Sequence, residues 1–219
     1  MESDVLPCYV ACDVSLSMTD HLGALNAGLR EFRGGIHADP AVAERVLCCV
    51  VGFAETAYEV QPLYPLDDLA RLPERGESAG TGFGPAFVFL RKAIAGDVRA
   101  LEAHRLRVHR PLMFFLSDGC ATDPTTWPAA FAALTDPAWA SRPRVVAFGV
   151  GDADEDTLGR IGTFRTFLAR DGVRLGPALI ASVMRALPRA DRARSVHDLS
   201  TSRPRGARTM TRNEKGAGS

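Results

Sequence analysis

The chain lacks a net charge and a long apolar run, and each absence excludes a class of protein. Its 219 residues carry 26 basic and 26 acidic side chains, so the overall charge indicates no class of partner. No apolar run approaches the roughly 20 residues that cross a bilayer. The first residues also lack the cationic segment and the apolar stretch of a secretion signal. We therefore expect a cytoplasmic protein with no membrane partner.

Cysteine is scarce and shows no spacing typical of a metal site. The five cysteines do not form Cys-x-x-Cys pairs, and no histidine is placed to complete a zinc site. Cys120 lies beside an aspartate in a predicted loop, where an exposed thiol is expected. The others lie in apolar, strand-like segments and are expected to be buried in a reducing compartment: Cys8, Cys12, Cys48 and Cys49.

The last segment of the chain differs in composition from the rest. Residues 189–219 contain eight Arg or Lys against three Asp or Glu, and they lose the periodicity of apolar residues. We therefore predict a folded domain over residues 1–188 and a basic, disordered tail over residues 189–219. The tail has no aromatic residue that could stack on bases, which argues against a nucleic-acid partner.

Strand-like and helix-like segments alternate along the predicted domain. Strands are predicted at residues 8–14, 45–54, 57–64, 111–119, 144–151 and 164–169. Most are continuously apolar, as in buried parallel strands, whereas 57–64 alternates and contains Pro62, which favours an edge position. The pattern predicts an α/β fold: a doubly wound, mostly parallel sheet flanked by helices, with one antiparallel edge strand.

Helices are predicted between these strands, and turn residues indicate their ends. The helix after the first strand is expected to stop at Gly34–Gly35. Pro85 suits the first turn of a helix over residues 85–96. The segment that follows the 111–119 strand is predicted to open a helix capped by Asp123 together with Thr125 or Thr126.

Five oxygen-bearing side chains fall where strands give way to turns. Asp13 closes the first strand and is followed by Ser15 and Ser17, Asp118 closes the 111–119 strand, and Thr81 lies in the glycine-rich segment "SAGTGFGPAF". In parallel sheets, ligands gather beyond the carboxyl ends of the strands. Two carboxylates and three hydroxyls form an all-oxygen set, which hard cations such as Mg²⁺ prefer.

The spacing within this set has a physical reason, although each part has a simpler alternative. Alternate residues of extended backbone point the same way, so Ser15 and Ser17 can face one cation. A short Asp-x-Ser-x-Ser segment before a helix can instead be a helix cap, with Ser17 or Thr19 accepting a helix N–H. Asp118 followed by Gly119 can be ordinary turn chemistry. The combination of all three segments on suitable elements favours the metal site.

The motifs "DVSLSM", "GTGFG" and "FFLSDG" resemble the von Willebrand factor A family, over roughly residues 5–188. That family has a Rossmann-like fold and a metal-ion-dependent adhesion site built from Asp-x-Ser-x-Ser, a threonine and an aspartate. The resemblance implies that Ser15, Ser17 and Thr81 bind the metal directly, while Asp13 and Asp118 hold it mostly through waters. Mg²⁺ is the expected cation, and Mn²⁺ or Ca²⁺ are alternatives.

The resemblance also implies a function. Such a chain would be a metal-dependent protein-protein interaction module in which a partner's Asp or Glu completes the metal site. The sequence is most like the tellurium-resistance-associated (TerY-like) bacterial branch, which implies a tellurite or stress-response system. By that resemblance the partner is a kinase-like or phosphatase-like protein of the stress module.

Two positions depart from the family pattern, and one of them poses a structural question. Leu16 stands where the family commonly has glycine between the serines, and Ala79 replaces a frequent glycine. If the backbone at Leu16 requires a positive φ, leucine strains it. Otherwise Leu16 adds an apolar side chain to the rim of the site.

An enzyme is the rival class, because an acid at a strand end with Mg²⁺ also occurs in aspartyl phosphatases. A Mg²⁺-dependent phosphoesterase-like enzyme needs a second acid near Asp13, and Ser15 stands there. It also needs a lysine near the phosphate, yet the chain has only Lys92 and Lys215. His21 could act as a base but is equally an ordinary surface histidine. We therefore expect no catalytic activity.

Overall fold

The computed structural model describes residues 4–187, which form seven strands and six helices. The strands are β1 (Asp4–Asp13), β2 (Val46–Phe53), β3 (Ala57–Pro65), β4 (Arg107–Val108), β5 (Leu112–Ser117), β6 (Arg144–Gly149) and β7 (Arg165–Leu168). The helices are α1 (Thr19–His37), α2 (Pro40–Ala43), α3 (Phe83–Ala103), α4 (Trp127–Thr135), α5 (Glu155–Ile161) and α6 (Leu175–Ala186). Single turns of 3-10 helix, Leu16–Met18 and Ala169–Asp171, follow β1 and β7.

The strands form one sheet in the order β3-β2-β1-β5-β6-β7, with β4 paired to the start of β1. β3 runs antiparallel to β2, whereas the other pairs are parallel. This confirms the predicted α/β class with its antiparallel edge strand. The strand order reverses between β1 and β5, so the ends of these two strands flank the point where open α/β sheets bind ligands.

Helices cover both faces of the sheet, because the residues of β1 alternate between two apolar layers. Cys8, Val10 and Cys12 belong to the core under α1 and α6. Tyr9 and Ala11 belong to the core under α3, α4 and α5. Burial on both faces explains why the central strands are continuously apolar in sequence.

Helix α1 continues through the glycine pair at which the sequence predicted its end. It extends past Gly34–Gly35, so the predicted stop is wrong. A Cβ on Gly28 would lie 2.8 Å from the side chain of Leu175, and one on Gly35 would collide with Ile180. Both contacts belong to α6, so these glycines allow α1 and α6 to pack closely instead of ending α1.

The remaining predictions about the ends and surface of the domain have mixed outcomes. The helix predicted at 85–96 is longer, since α3 runs from Phe83 to Ala103. Cys120 is exposed as predicted, and the four strand cysteines are buried. Within residues 4–187, no helix combines the length and apolarity needed to cross a membrane. The tail over residues 189–219 lies outside the described residues.

Candidate metal centre

The carboxyl end of β1 places Asp13 at the base of the candidate site. Asp13 is fully buried, and both of its carboxylate oxygens accept hydrogen bonds. Oδ1 accepts the backbone N–H of Ser15 at 3.0 Å, and Oδ2 accepts the Ser117 hydroxyl at 2.7 Å. Asp13 therefore connects the turn after β1 to the end of β5.

The charge of Asp13 is affected by its surroundings. Burial raises the pKa of the Asp13 carboxyl above its usual value, and the nearby Asp118 charge acts in the same direction. Hydrogen bonds from Ser15 and Ser117 oppose the rise in pKa. A cation close to this carboxylate would favour its charged form. The environment of Asp13 is thus one that a bound cation would stabilise.

The serine hydroxyls that follow β1 are not used as helix caps. Neither the 3-10 turn nor α1 has a hydrogen bond from a capping side chain. The Oγ atoms of Ser15 and Ser17 lie 3.1 Å apart. The Thr19 hydroxyl accepts a hydrogen bond from the Gly76 N–H at 3.1 Å, and Gly76 is not part of the helix. The alternative that these hydroxyls cap α1 is therefore wrong.

Leu16 occupies this turn without strain. Within residues 4–187, the one non-glycine residue with a positive φ is Arg105, so the backbone of Leu16 stays in the ordinary region. Leu16 begins the 3-10 turn, and its side chain is 53% exposed. Of the two alternatives set by the sequence, the second holds: Leu16 is an apolar side chain on the rim of the site.

A second loop runs alongside the turn and fixes its backbone. The Glu77 N–H donates to the Val14 carbonyl and the Leu16 N–H donates to the Ser78 carbonyl, each at 2.8 Å. Gly76 approaches so closely that a Cβ there would collide with the Leu16 backbone. The turn that carries the serines is therefore held by the chain segment that leads to the predicted threonine ligand.

Thr81 lies in the continuation of that loop and is only 3% exposed. Its N–H donates to the Thr122 hydroxyl at 3.0 Å, and its carbonyl accepts the Thr122 N–H at 2.9 Å. The hydroxyl of Thr81 itself forms no hydrogen bond with any residue of the described range 4–187. The backbone of Thr81 is thus fixed while its hydroxyl is available to a ligand.

Asp123 positions the Thr81 loop, a role that the sequence analysis missed. The predicted Asp123 cap of α4 is wrong, because α4 begins without a side-chain cap. The Asp123 carboxylate instead accepts the N–H groups of Phe83 at 2.9 Å and Gly84 at 2.8 Å, and so caps α3. The sequence does carry a signal for this role. The residues at the start of α3 include glycines, which have no side chain that could cap the helix, so the cap has to come from another part of the chain.

Asp118 lies just beyond β5 and is partly exposed. Its Oδ1 accepts the Cys120 N–H at 3.0 Å, and Gly119 between them has φ +82°. The turn-chemistry alternative therefore holds for one carboxylate oxygen. Apart from the Cys120 N–H and thiol, the Asp118 carboxylate has no hydrogen-bond partner within the described part of the chain, so it remains open to water or to a cation.

The five predicted ligands follow the carboxyl ends of β1 and β5 or lie in the loop that pairs with the turn after β1. At a metal–oxygen distance of about 2.1 Å, neighbouring octahedral ligands lie about 3 Å apart. The observed separation between Ser15 Oγ and Ser17 Oγ is 3.1 Å. No group of three or more His, Cys, Asp or Glu suited to a metal occurs in residues 4–187. Any cation here would therefore depend on the hydroxyls, and the ligand roles stay a prediction.

His21, the sequence candidate for a general base, packs against Gly151. It is partly buried on α1 next to Gly151, where an added Cβ would lie 2.6 Å from the His21 Nε2. Gly151 has φ +57°, so the absence of a side chain there serves both the backbone and the packing of the ring. No hydrogen bond joins His21 to a predicted ligand within the described residues.

Comparisons with known proteins find similarity at the level of structure. No protein-family model matches the chain, and no curated protein matches its sequence. The pilus adhesin SpaC from Lactobacillus rhamnosus GG, in its open conformation, has a TM-score of 0.63 at 13% identity, over 84% of this chain and 30% of that chain. Proximal thread matrix protein 1 from the mussel byssus has a TM-score of 0.57 at 15% identity, over 84% of this chain and 48% of that chain.

The mussel protein has also been solved "with zinc occupied MIDAS motif", and that structure has a TM-score of 0.54 at 14% identity over the same shares of the two chains. These neighbours support the von Willebrand factor A fold that the sequence motifs predict. At such low identity the similarity shows the fold alone. The chain spans less than half the length of either neighbour.

Proposed function

We propose that the chain is a divalent-cation-dependent protein-interaction module. Asp13, Ser15, Ser17, Thr81 and Asp118 would hold the cation, with Mg²⁺ favoured over Mn²⁺ or Ca²⁺ by the small, hydroxyl-rich oxygen set. The bound cation would supply positive charge and an open coordination position. An Asp or Glu of a partner protein would fill that position.

The observation that carries this proposal is the number of oxygen atoms that the fold leaves uncommitted at one sheet edge. Within residues 4–187, the Ser17 hydroxyl hydrogen-bonds only to the Ser15 hydroxyl, which also interacts with the Asp13 carboxyl. The hydroxyl of Thr81 has no partner in that range, and the Asp118 carboxylate has only the adjacent Cys120 as a partner. Asp13, in contrast, is held by two hydrogen bonds. Fixed backbone with free oxygen atoms is the arrangement expected of a site that awaits a cation.

An interaction role is favoured over a phosphoesterase for structural reasons. A nucleophilic carboxylate needs access to its substrate, yet Asp13 is fully buried and both of its oxygens accept hydrogen bonds. Lys92 lies within α3, far along the helix from its start at Phe83. An exposed apolar side chain beside the metal, Leu16, suits contact with another protein.

The biological setting is a finer part of the proposal. The SpaC structure is described as a pilus adhesin and the mussel structure as a matrix protein with a zinc-occupied MIDAS, which supports metal-assisted contact as a use of this fold. The resemblance of "DVSLSM", "GTGFG" and "FFLSDG" to the TerY-like branch supports a cytoplasmic module of a bacterial tellurite or stress response. Its partner would be a kinase-like or phosphatase-like protein.

The proposal is tested by titrating Mg²⁺ and Mn²⁺ into the protein by calorimetry. Ser15→Ala and Thr81→Ala should each weaken cation affinity at least about tenfold, because each removes one oxygen ligand. Thr125→Ala, which removes an exposed hydroxyl in the neighbouring loop, should leave the affinity unchanged. Equal affinity in all variants would contradict the site. Hydrolysis of p-nitrophenyl phosphate that is lost in Asp13→Asn would instead support the enzyme.

A further inference from the structure

A pocket outside the candidate metal centre lies between α1 and the loop that precedes Thr81. Its volume is about 350 Å³. It is lined by Gly23, Asn26 and Arg30 of α1 and by Arg71, Leu72 and Glu74 of the loop. Neither the metal ligands nor the resemblance to a known family accounts for it.

The wall of this pocket is fixed by hydrogen bonds between its two sides. The Asn26 side chain donates to the Leu72 carbonyl at 3.3 Å and accepts the Leu72 N–H at 2.9 Å. Leu72 is also buried in the core. Gly23 has no atom within 4 Å of the place where a Cβ would stand, which keeps one end of the pocket open. These two hydrogen bonds hold the α1 side and the loop side of the pocket together.

The two arginines of the pocket are exposed and form no ion pair within the described residues. Neither Arg30 nor Arg71 forms a hydrogen bond or an ion pair with any residue of the range 4–187, and neither forms a salt bridge with Glu74. By contrast, Arg45 in another part of the domain forms a salt bridge with Asp4. Two guanidinium groups against one carboxylate give the pocket a net positive charge. Guanidinium groups bind carboxylates strongly and with defined geometry.

The pocket adjoins the turn that carries the serines. Thr19, the first residue of α1, accepts the Gly76 N–H and donates to the Leu16 carbonyl at 2.8 Å. At 1.5 Å per residue along a helix, Asn26 lies about 10 Å and Arg30 about 17 Å from Thr19. An extended peptide covers about 3.3 Å per residue, so roughly three to five residues span that distance.

We propose that Arg30 and Arg71 form a second subsite, which binds a carboxylate of the same partner segment whose first acid reaches the metal. The inference rests on the proposed function. It specifies the partner as an acidic segment with two Asp or Glu residues about four residues apart. The second carboxylate supplies the counter-charge that the two arginines lack, and Leu16 lies beside the path between the two subsites.

The test compares two fluorescein-labelled peptides by anisotropy, in Mg²⁺ and in EDTA. One peptide has two glutamates separated by three Gly or Ser residues, so that they stand four residues apart, and the other has glutamine in place of the second glutamate. In Mg²⁺, the wild-type protein should bind the two-glutamate peptide about tenfold more tightly, the effect of one charge-assisted contact. The double variant Arg30→Glu/Arg71→Glu should remove that tenfold difference and leave binding of the glutamine peptide unchanged.

Control variants separate the pocket from general charge effects. Arg99→Glu on α3 reverses another exposed arginine that has no partner within residues 4–187, and it should change the peptide affinity less than about twofold. If circular dichroism shows that the Arg30→Glu/Arg71→Glu variant does not fold, the milder variant Arg30→Gln/Arg71→Gln should still remove most of the difference in affinity between the two peptides. An equal loss in Arg99→Glu would overturn the proposal.

The outcomes distinguish this inference from the proposed function. Binding that EDTA does not weaken would contradict the metal bridge, whereas EDTA-sensitive binding that is equal for both peptides would contradict the arginine subsite alone. Inorganic phosphate that competes at lower concentration than the two-glutamate peptide would assign the pocket to a small oxyanion and overturn the acidic segment. Failure of the wild-type protein to bind either peptide would overturn both.

Discussion

Two strand ends carry an acid at the candidate site, and the surroundings of the two acids differ. Asp13, after β1, is buried with both oxygens hydrogen-bonded, and it holds the Ser15 backbone and the Ser117 hydroxyl in place. Asp118, after β5, is partly exposed and uses one oxygen in a local turn with Cys120. The first acid is part of the folded framework, whereas the second is mainly available to solvent and ligand.

The largest expected effect on folding comes from removing the framework acid. Asp13→Ala leaves a buried backbone N–H and the Ser117 hydroxyl without their acceptor, which should lower the free energy of unfolding by about 1–3 kcal/mol. Cation binding should also be lost. Urea unfolding in EDTA, where no bound cation adds to the stability of the wild type, measures the first effect, and calorimetry with Mg²⁺ measures the second. Asp20→Ala, which removes an exposed acid at the start of α1, is the control and should change both quantities little.

The next effect concerns the turn after β5, where glycine is required. Gly119 has φ +82°, and an added Cβ would lie 3.0 Å from the Asp154 carbonyl oxygen. Gly119→Ala should therefore lower the free energy of unfolding by about 1–2 kcal/mol. Gly96→Ala, in the middle of α3 with open space around it, should raise the free energy of unfolding by about 0.5–1 kcal/mol. Effects of the same sign would contradict this account of the turn.

A smaller loss of stability is expected at the ligand-facing acid. Asp118→Ala removes one hydrogen bond at the surface, so the free energy of unfolding should fall by less than about 1 kcal/mol. Affinity for Mg²⁺ should nevertheless fall at least about tenfold. Parallel unfolding and calorimetry experiments measure the two quantities. A loss of stability as large as that of Asp13→Ala would remove the distinction between the two acids.

The smallest effect on stability is expected at Leu16. Its side chain is 53% exposed, so Leu16→Ser should change the free energy of unfolding by less than about 0.5 kcal/mol. If Leu16 contacts a partner, a glutamate peptide flanked by leucine should bind about fivefold more tightly than one flanked by alanine. Leu16→Ser should abolish that difference without changing Mg²⁺ affinity. A difference that persists in the variant would place the apolar contact elsewhere.

The sequence predicted features that depend on local pattern. Continuous apolar runs predicted the central strands, and the acids at their ends predicted where the polar cluster would lie. The start of β1 was predicted too late because Pro7 interrupts the run. The pairing of β1 with β5 begins at Cys8, one residue after Pro7. Proline has no backbone N–H to donate, and at Pro7 no residue of β5 is paired with the strand.

Features that depend on distant contacts could not be predicted from the sequence. Gly34–Gly35 suggests a helix end, and only the position of α6 shows that a small residue is needed at Gly35 for packing. Asp123 suggests a cap for the following helix, but it caps α3, some 40 residues earlier. The arginine pocket likewise depends on the pairing of Asn26 with Leu72, which lie 46 residues apart in the chain.

The distribution of the cysteines gives the molecule four buried reporters of opening and one exposed reference thiol. Burial raises the pKa of the Cys49 thiol to about 12, and it also raises the pKa of Cys8, Cys12 and Cys48. Alkylation of these four thiols requires the sheet to open, so its rate depends on how often the domain unfolds. Cys120 lies exposed beside the candidate site and reacts without such an opening. One labelling time course therefore measures unfolding of the core against the direct reaction of an exposed thiol in the same molecule.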